Sequence, residues 1–205
     1  MEEKFIEAVG RNQHRFGLAL EPSQIEKLAG YCRLVRQQND LLHLVAPCSE
    51  EEFAVRHILE SLTLLEYLPA GAAFADVGSG AGLPALPCLL VREDLTGVLI
   101  ESKLKKGRFL EETISGLGLG GRVRLINRQF EEISRPEVGF VTCRALDKFT
   151  QKLPRLLKWS KKSVLLFFGG NALRAELEKN RLKFGEKLMP MSEQRFLFIA
   201  ENRAR

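Results

Sequence analysis

No stretch of this 205-residue chain approaches the roughly 18 uninterrupted apolar residues that a membrane span needs. The opening MEEKFIEAVGRNQ is charged where an export leader would be apolar, so a cytoplasmic protein is the expectation. Cysteine and histidine are scarce. Cys32, Cys48, Cys88 and Cys143 form no Cys-x-x-Cys pair, and His14, His43 and His57 add no metal-ligand spacing. No metal site is expected, and the thiols read as reduced and mostly buried. Tyrosine is scarcer still. Tyr31 and Tyr67 are followed four residues on by Val35 and Gly71, which removes the Tyr-x-x-x-Lys pair of one large dehydrogenase class. Trp159 is the single tryptophan.

What is present is a chain able to bury a full core, with 45% hydrophobic residues. Its formal charge of +5 is unevenly spread. Residues 1–70 carry 7 Lys and Arg against 11 Asp and Glu, and residues 71–205 carry 24 against 15. The basic excess of the second part fits either a solvated surface or an acidic partner such as nucleic acid.

Up to Pro69, apolar residues recur at three and four, which predicts helices, the last opened by a Ser49-x-x-Glu52 capping box and carrying Phe53, Ile58, Leu62 and Leu65. The stretch PAGA at 69–72 marks a boundary, giving a helical extension over 1–70 and a second domain over 71–205. From residue 73, AFADV, GVLI, RVRLI, VGFVT and SVLLFF alternate with helix-length segments. That alternation predicts an α/β fold, a Rossmann-like and mostly parallel sheet covered on both faces. KFGEKLMPM and RFLFIAE then follow each other too closely for a crossover helix, so a C-terminal antiparallel hairpin should close a seven-stranded sheet.

The stretch DVGSGAGLP lies on the turn from the first strand into a helix, where Pro84 is tolerable in a first turn. Gly78, Gly80 and Gly82 permit a close approach to backbone amides, either by a ligand or by the protein's own packing. The next strand, GVLIES, ends at Glu101, about 20 residues beyond the loop, where an acid accepts hydrogen bonds from a ribose in such folds. Asp76 closes the first strand and could hold the loop or a cationic part of a ligand. An adenosine-containing cofactor is therefore favoured. The terminal hairpin and the acidic pair Glu131, Glu132 after the third strand favour S-adenosylmethionine over a nicotinamide dinucleotide.

The acceptor edge follows the fourth strand, at VTCRAL. It lacks the Asn/Asp-Pro-Pro-Tyr/Phe run that holds an exocyclic amine. Cys143 is a candidate nucleophile for cytosine C5, with Arg144 beside it, although Thr142 stands where that chemistry usually has proline. The other candidate is an acceptor that needs no base. A ring nitrogen such as guanine N7 has a free in-plane lone pair, so alignment does most of the work. Arg144 would then anchor a carboxylate or a phosphate.

In order and spacing, DVGSGAGLP, LIESKLKKGRFLEE, RQFEEI and CRAL resemble the glucose-inhibited division protein B family of bacterial ribosomal RNA methyltransferases. Upstream, YCRLVRQQNDLLHL and HILESL are similar to that family's N-terminal helical signature. The resemblance implies methyl transfer from S-adenosylmethionine to guanine N7 in 16S ribosomal RNA, with the RNA or the small subunit as partner; a monomer is the separate expectation. It implies that Gly78 and Leu83 line the cofactor, that Phe130 and Glu131 flank the adenine, and that Arg144 completes the pocket. Glu101 joins them from the strand-end argument, as do Asp76, Gly80 and Gly82 from the loop. Departures fall at Gln38, where tryptophan is usual, at Glu60 in place of aspartate, at Gln129 in place of arginine, and at the Phe168-Gly169 segment, which lacks a lysine. A methyltransferase acting on another RNA or base, or a non-catalytic RNA-binding or ribosome-assembly protein, stands as the alternative.

Lys103, Lys105, Lys106 and Arg108 cluster at a helix start, where the macrodipole prefers acids, so their charge points to a use. Lys148, Lys152 and Arg155 follow at helical spacing, opposite Phe149, Leu153, Leu156 and Leu157. Together they form the predicted RNA-binding surface, offering sequence-blind phosphate attraction. Trp159 could stack on a base or serve as packing.

Overall fold

The computed structural model of the protein describes residues 2–146 and 148–202. The chain opens with α1 (Glu2–Asn12) and α2 (Pro22–Leu42). A third helical run begins as α3 (Glu50–Glu52), widens into a π-helical segment at Phe53–Leu59, and ends as α4 (Glu60–Leu62) with a 3-10 turn at Thr63–Glu66. Half of the predicted capping box forms. Ser49 Oγ accepts from Glu52 N–H at 3.1 Å, but the Glu52 carboxylate turns to Arg56 four residues on.

The sheet then builds from β1 (Ala73–Val77), β2 (Thr96–Ile100), β3 (Val123–Ile126), β4 (Phe140–Arg144), β5 (Val164–Gly169), β6 (Gly185–Leu188) and β7 (Phe196–Glu201). Between the parallel strands lie α5 (Ala85–Val91), α6 (Leu104–Gly116) and α7 (Phe149–Trp159), and α8 (Asn171–Lys179) follows β5. The strand order is 3-2-1-4-5-7-6, with β7 antiparallel to β5 and β6, as the closely spaced last two strands require. Pro154 interrupts nothing, and α7 runs through it.

Alternation along the strands divides the core. Leu166 and Phe168 join Phe74, Leu99 and Leu197 on one face, while Leu165 and Phe167 join Ala75, Val141 and Phe198 on the other. Helices α7 and α8 cover the second face through Leu153, Leu156, Leu173 and Leu177. The first face is covered by α5, α6 and the N-terminal helices in one continuous cluster, with Leu28, Tyr31 and Ile58 packed among Leu86, Leu89 and Leu110. Segments on both sides of residue 70 thus share one core.

Candidate functional site

Register sets the geometry. Val77 pairs with Ile100 on one side and with Cys143 on the other, so the next residues, Gly78, Glu101 and Arg144, come level at the carboxyl rim, Arg144 as the last residue of β4. The chain winds from β1 out to β3 on one side and through β4 and β5 on the other. The crevice outside the carboxyl ends of β1 and β4 is therefore the topological switch point where ligands bind in such sheets.

A cavity of about 320 Å³ opens there, within the size range of ligand pockets. Its floor is the glycine turn from Gly78 to Ala81, and Leu83, Glu101 and Arg144 stand around it. Several bonds hold the turn. Gly78 N–H donates to Ile100 O at 2.8 Å, Ser79 Oγ donates to Asp76 O at 3.0 Å, and the Tyr31 hydroxyl donates to Ala81 O at 2.9 Å. Tyr31, of no use to a dehydrogenase here, is a strut from α2 to the turn.

The three glycines do different jobs. At Gly80 (φ 56°) a Cβ would meet nothing nearer than Gly78 O at 3.8 Å, so the turn is open to a ligand at this point. At Gly82 (φ 93°) a Cβ would lie 2.3 Å from a Leu86 side chain that is itself fully buried. Gly82 is absent from the cavity wall, and its expected ligand contact gives way to internal packing. Strain and overpacking together predict that Gly82→Ala loses about 2–4 kcal/mol, read as a lower urea midpoint, while Gly80→Ala loses only about 1–2 kcal/mol.

Asp76, expected to hold the loop or a cationic part of a ligand, lies beneath the loop. It is fully buried under the turn and absent from the crevice wall, and neither carboxylate oxygen has a hydrogen bond of good geometry. Burial pushes it up to about 8, with the Ser79 hydroxyl pulling down and Glu101 pushing up. Burial favours the protonated form of this side chain and places it beneath the turn, outside the cavity wall.

Glu101 is held firmly. One carboxylate oxygen accepts from Gly80 N–H at 2.9 Å and the other from Lys103 N–H at 2.7 Å, while Asn127 Nδ2 donates to its carbonyl at 2.6 Å. The acid thus supplies the anionic charge that the first turn of α6 lacks. Each oxygen keeps a second lone pair for a hydroxyl in the cavity. Gly107 makes this possible, since a Cβ there would lie 2.6 Å from the Asn127 amide.

Arg144 lines the cavity, and its guanidinium is tied to the protein's own acceptors. Its Nη2 donates to Arg56 O at 2.7 Å and to Glu60 at 3.2 Å, and the guanidinium lies 5.4 Å over the Phe168 ring. Glu60 is 1% exposed and also takes Arg195 Nε at 2.7 Å. The aspartate-to-glutamate departure therefore sits in a buried ion triplet that joins the third helical run, β4 and the β6–β7 hairpin.

Phe130 and Glu131 line a second, much smaller cleft that shares Gly78, Ser102, Leu146 and Lys152 with the first. Leu146 is the partition, its side chain packing directly over Gly78. Trp159 stacks edge-on against Phe130 at 5.7 Å and donates to Ile133 O at 2.9 Å, which is a packing role.

Cys143 is fully buried, with its thiol pushed well up by burial, and Arg144 does not activate it. Pointing into the core and absent from both clefts, it cannot serve as the thiolate nucleophile.

The predicted cations divide into two groups. Lys105, Arg108, Lys148 and Arg155 are exposed. Lys103, Lys106 and Lys152 belong to the cavity wall, and Lys106 Nζ donates to His43 O at 3.3 Å, with burial lowering its pKa. Leu44, Val45 and Ala46 also line the cavity, as does His57. Sequence reasoning passed over all four, although His57 opens the quoted HILESL. Among the described residues no cluster suited to a metal ion appears, and no helix is long and apolar enough to cross a membrane.

Sheet order, switch-point crevice and open glycine turn define a Rossmann-like α/β fold of the class I methyltransferase kind, with its ligand crevice at the carboxyl rim of β1 and β4. The chain resembles a S-adenosylmethionine-dependent methyltransferase from Aquifex aeolicus over 83% of its own length and 97% of that chain, with a TM-score of 0.59 at 18% identity. A tRNA methyltransferase from B. subtilis, TrmK, gives 0.57 at 18% identity over 69% of this chain and 64% of that one. The profile of the rRNA small subunit methyltransferase G family matches residues 24–199, and the chain belongs to that family. The ribosomal RNA small subunit methyltransferase G of Sorangium cellulosum is 35% identical over 76% of this chain and 69% of its own length. The protein of that name from Halorhodospira halophila is 37% identical over 67% and 65%, and one from Neisseria meningitidis 34% over 63% and 62%. For the latter two, the match spans less than two thirds of the relative.

Proposed function

We propose that the protein transfers a methyl group from S-adenosylmethionine to N7 of a guanine in 16S ribosomal RNA. The observation that carries this reading is the juxtaposition of a ligand-accessible glycine turn, a fixed acid at the end of β2 and a substrate edge at the end of β4, in a chain of this family. The residues fit the cofactor. Gly80 offers bare backbone, Glu101 offers free lone pairs to ribose hydroxyls, and Phe130 with Glu131 would flank the adenine once Leu146 withdraws from Gly78.

When bound, the cofactor supplies a methyl on cationic sulfur: the guanine N7 lone pair forms the new N–C bond as the C–S bond breaks, its electron pair staying on sulfur and the positive charge passing to the purine. No proton leaves N7, so the chain needs no general base there. Its contribution is alignment and exclusion of water by the wall of Leu44, Val45, Ala46 and Leu83. Arg144, tied to Glu60 and to Arg56 O, fixes the β4 edge, and because Glu60 is shared with Arg195 the triplet keeps a net positive charge. Lys105, Arg108, Lys148 and Arg155 would attract RNA phosphates in a salt-dependent way.

The test is methyl transfer to small subunits lacking the modification, with the product mapped by mass. One methyl on one guanine, released as N7-methylguanine, is the expected product. A modified cytosine or adenine, or no turnover with the cofactor bound, overturns the reading.

A further inference from the structure

His57 is a cavity residue that the proposed reaction has not used. It sits inside the π-helical segment, an irregularity that recurs at functional sites, and three and four residues later come Glu60 and Ser61, which both meet Arg144. The imidazole therefore stands on the face turned to the end of β4, where the acceptor base must lie. Phe53 packs against its ring at 5.2 Å and fixes the plane. Nδ1 is buried with no hydrogen-bond partner, and none of the described hydrogen bonds uses Nε2.

Those facts select a tautomer. A proton on Nδ1 would be a buried, unsatisfied donor, whereas a bare Nδ1 leaves only an unmet acceptor. The favoured form carries its proton on Nε2. The ring is also neutral, since burial first, and then Arg144, Arg56, Arg36 and Arg195, hold it at about 3. His57 thus brings an uncharged N–H donor to the cavity wall.

The edge of guanine that carries N7 presents one other feature, the O6 acceptor, and adenine presents an N6 donor at the same place. A donor beside O6 welcomes guanine, opposes adenine, and leaves the N7 lone pair free for the methyl group. Neutrality matters too, because positive charge arrives on the purine during transfer and a fixed imidazolium would oppose it. We infer that His57 is a specificity-determining residue that donates a hydrogen bond from Nε2 to O6 of the target guanine. The inference rests on the proposed methylation of guanine N7.

The experiment uses the full chain and unmethylated small subunits, with the target first mapped for the wild type, and a second set of subunits carrying adenine at that position. His57→Phe should lose about 100-fold in kcat/KM on guanine, in kcat more than in the KM for S-adenosylmethionine, whose affinity should stay within twofold. His57→Asn keeps an N–H donor and should stay within about tenfold of wild type. The guanine-to-adenine preference should collapse by at least tenfold in His57→Phe.

Unchanged preference in His57→Phe overturns the inference, as does His57→Asn falling as far as His57→Phe with cofactor binding intact. Loss of cofactor binding in both variants would assign His57 to the cofactor and also overturn it. A wild-type product other than N7-methylguanine is a separate failure, that of the underlying reading, and is seen before any variant is made.

Discussion

Glu101→Ala is expected to weaken S-adenosylmethionine binding by at least about 100-fold, and to do so without unfolding the protein. The carboxylate has two duties. It receives the amides of Gly80 and Lys103, and so holds the glycine turn to the start of α6. Its remaining lone pairs face the cavity, where two ribose hydroxyls would use them. Hydrogen bonds to a charged acceptor contribute about 1.5–3 kcal/mol each, and a factor of 100 corresponds to about 2.8 kcal/mol, so losing the ligand bonds alone reaches the expected effect. Glu101→Gln should fall between wild type and alanine. Its amide keeps one acceptor but turns an NH₂ toward Gly80 N–H or Lys103 N–H, where a donor is already present. Calorimetric titration measures the affinity, and Trp159 offers a second signal because it touches Phe130 beside the expected adenine position. Binding within threefold of wild type in Glu101→Ala would remove the acid from the cofactor site.

The legible part of this molecule was the part written in short-range pattern. Alternating apolar runs gave the seven strands, and the closely spaced last two gave the antiparallel hairpin, because strand periodicity and connection length are local properties. The level at which Gly78, Glu101 and Arg144 emerge depends on register, but each could be found as the residue ending its strand. What escaped the sequence depends on contacts between distant segments. Gly82 looks like Gly80 on the page, and only the fully buried Leu86 beside it separates a packing glycine from a ligand-facing one. Asp76 could hold the loop or a cationic part of a ligand, and only the folded chain shows it buried beneath the turn, with burial pushing its carboxyl up. His57 opens HILESL and Lys106 belongs to SKLKKGRF, but neither stretch by itself shows that these two side chains line the cavity. They reach the cavity because the N-terminal helices share a core with α5 and α6. Arg144 was located correctly on the edge, yet its pairing with Glu60, 84 positions away, could not be read from either residue alone.

That pairing leads to the second large effect. Glu60→Ala should destabilise the fold by about 3–5 kcal/mol, because it leaves the Arg144 and Arg195 guanidiniums partly buried and facing each other with no anion between them. For a chain of this size, each kcal/mol moves the melting temperature by about 2–4 °C, so a fall of roughly 10 °C is expected in a thermal scan. Raising the salt concentration should recover little of it, since ions screen a buried site poorly. Glu60→Asp, which restores the residue usual in the family, should cost less, although the shorter side chain cannot span both arginines as Glu60 does. The decisive variant pairs Glu60→Leu with Arg195→Leu. Removing an acid and a base together eliminates one unpaired charge and adds apolar contact, so the double variant should be more stable than Glu60→Ala. Were it less stable, the triplet would owe its strength to packing of the hairpin and not to charge. Activity should fall further than stability in every variant that frees Arg144, because the end of β4 is one wall of the cavity and its position depends on the bonds to Glu60 and Arg56 O.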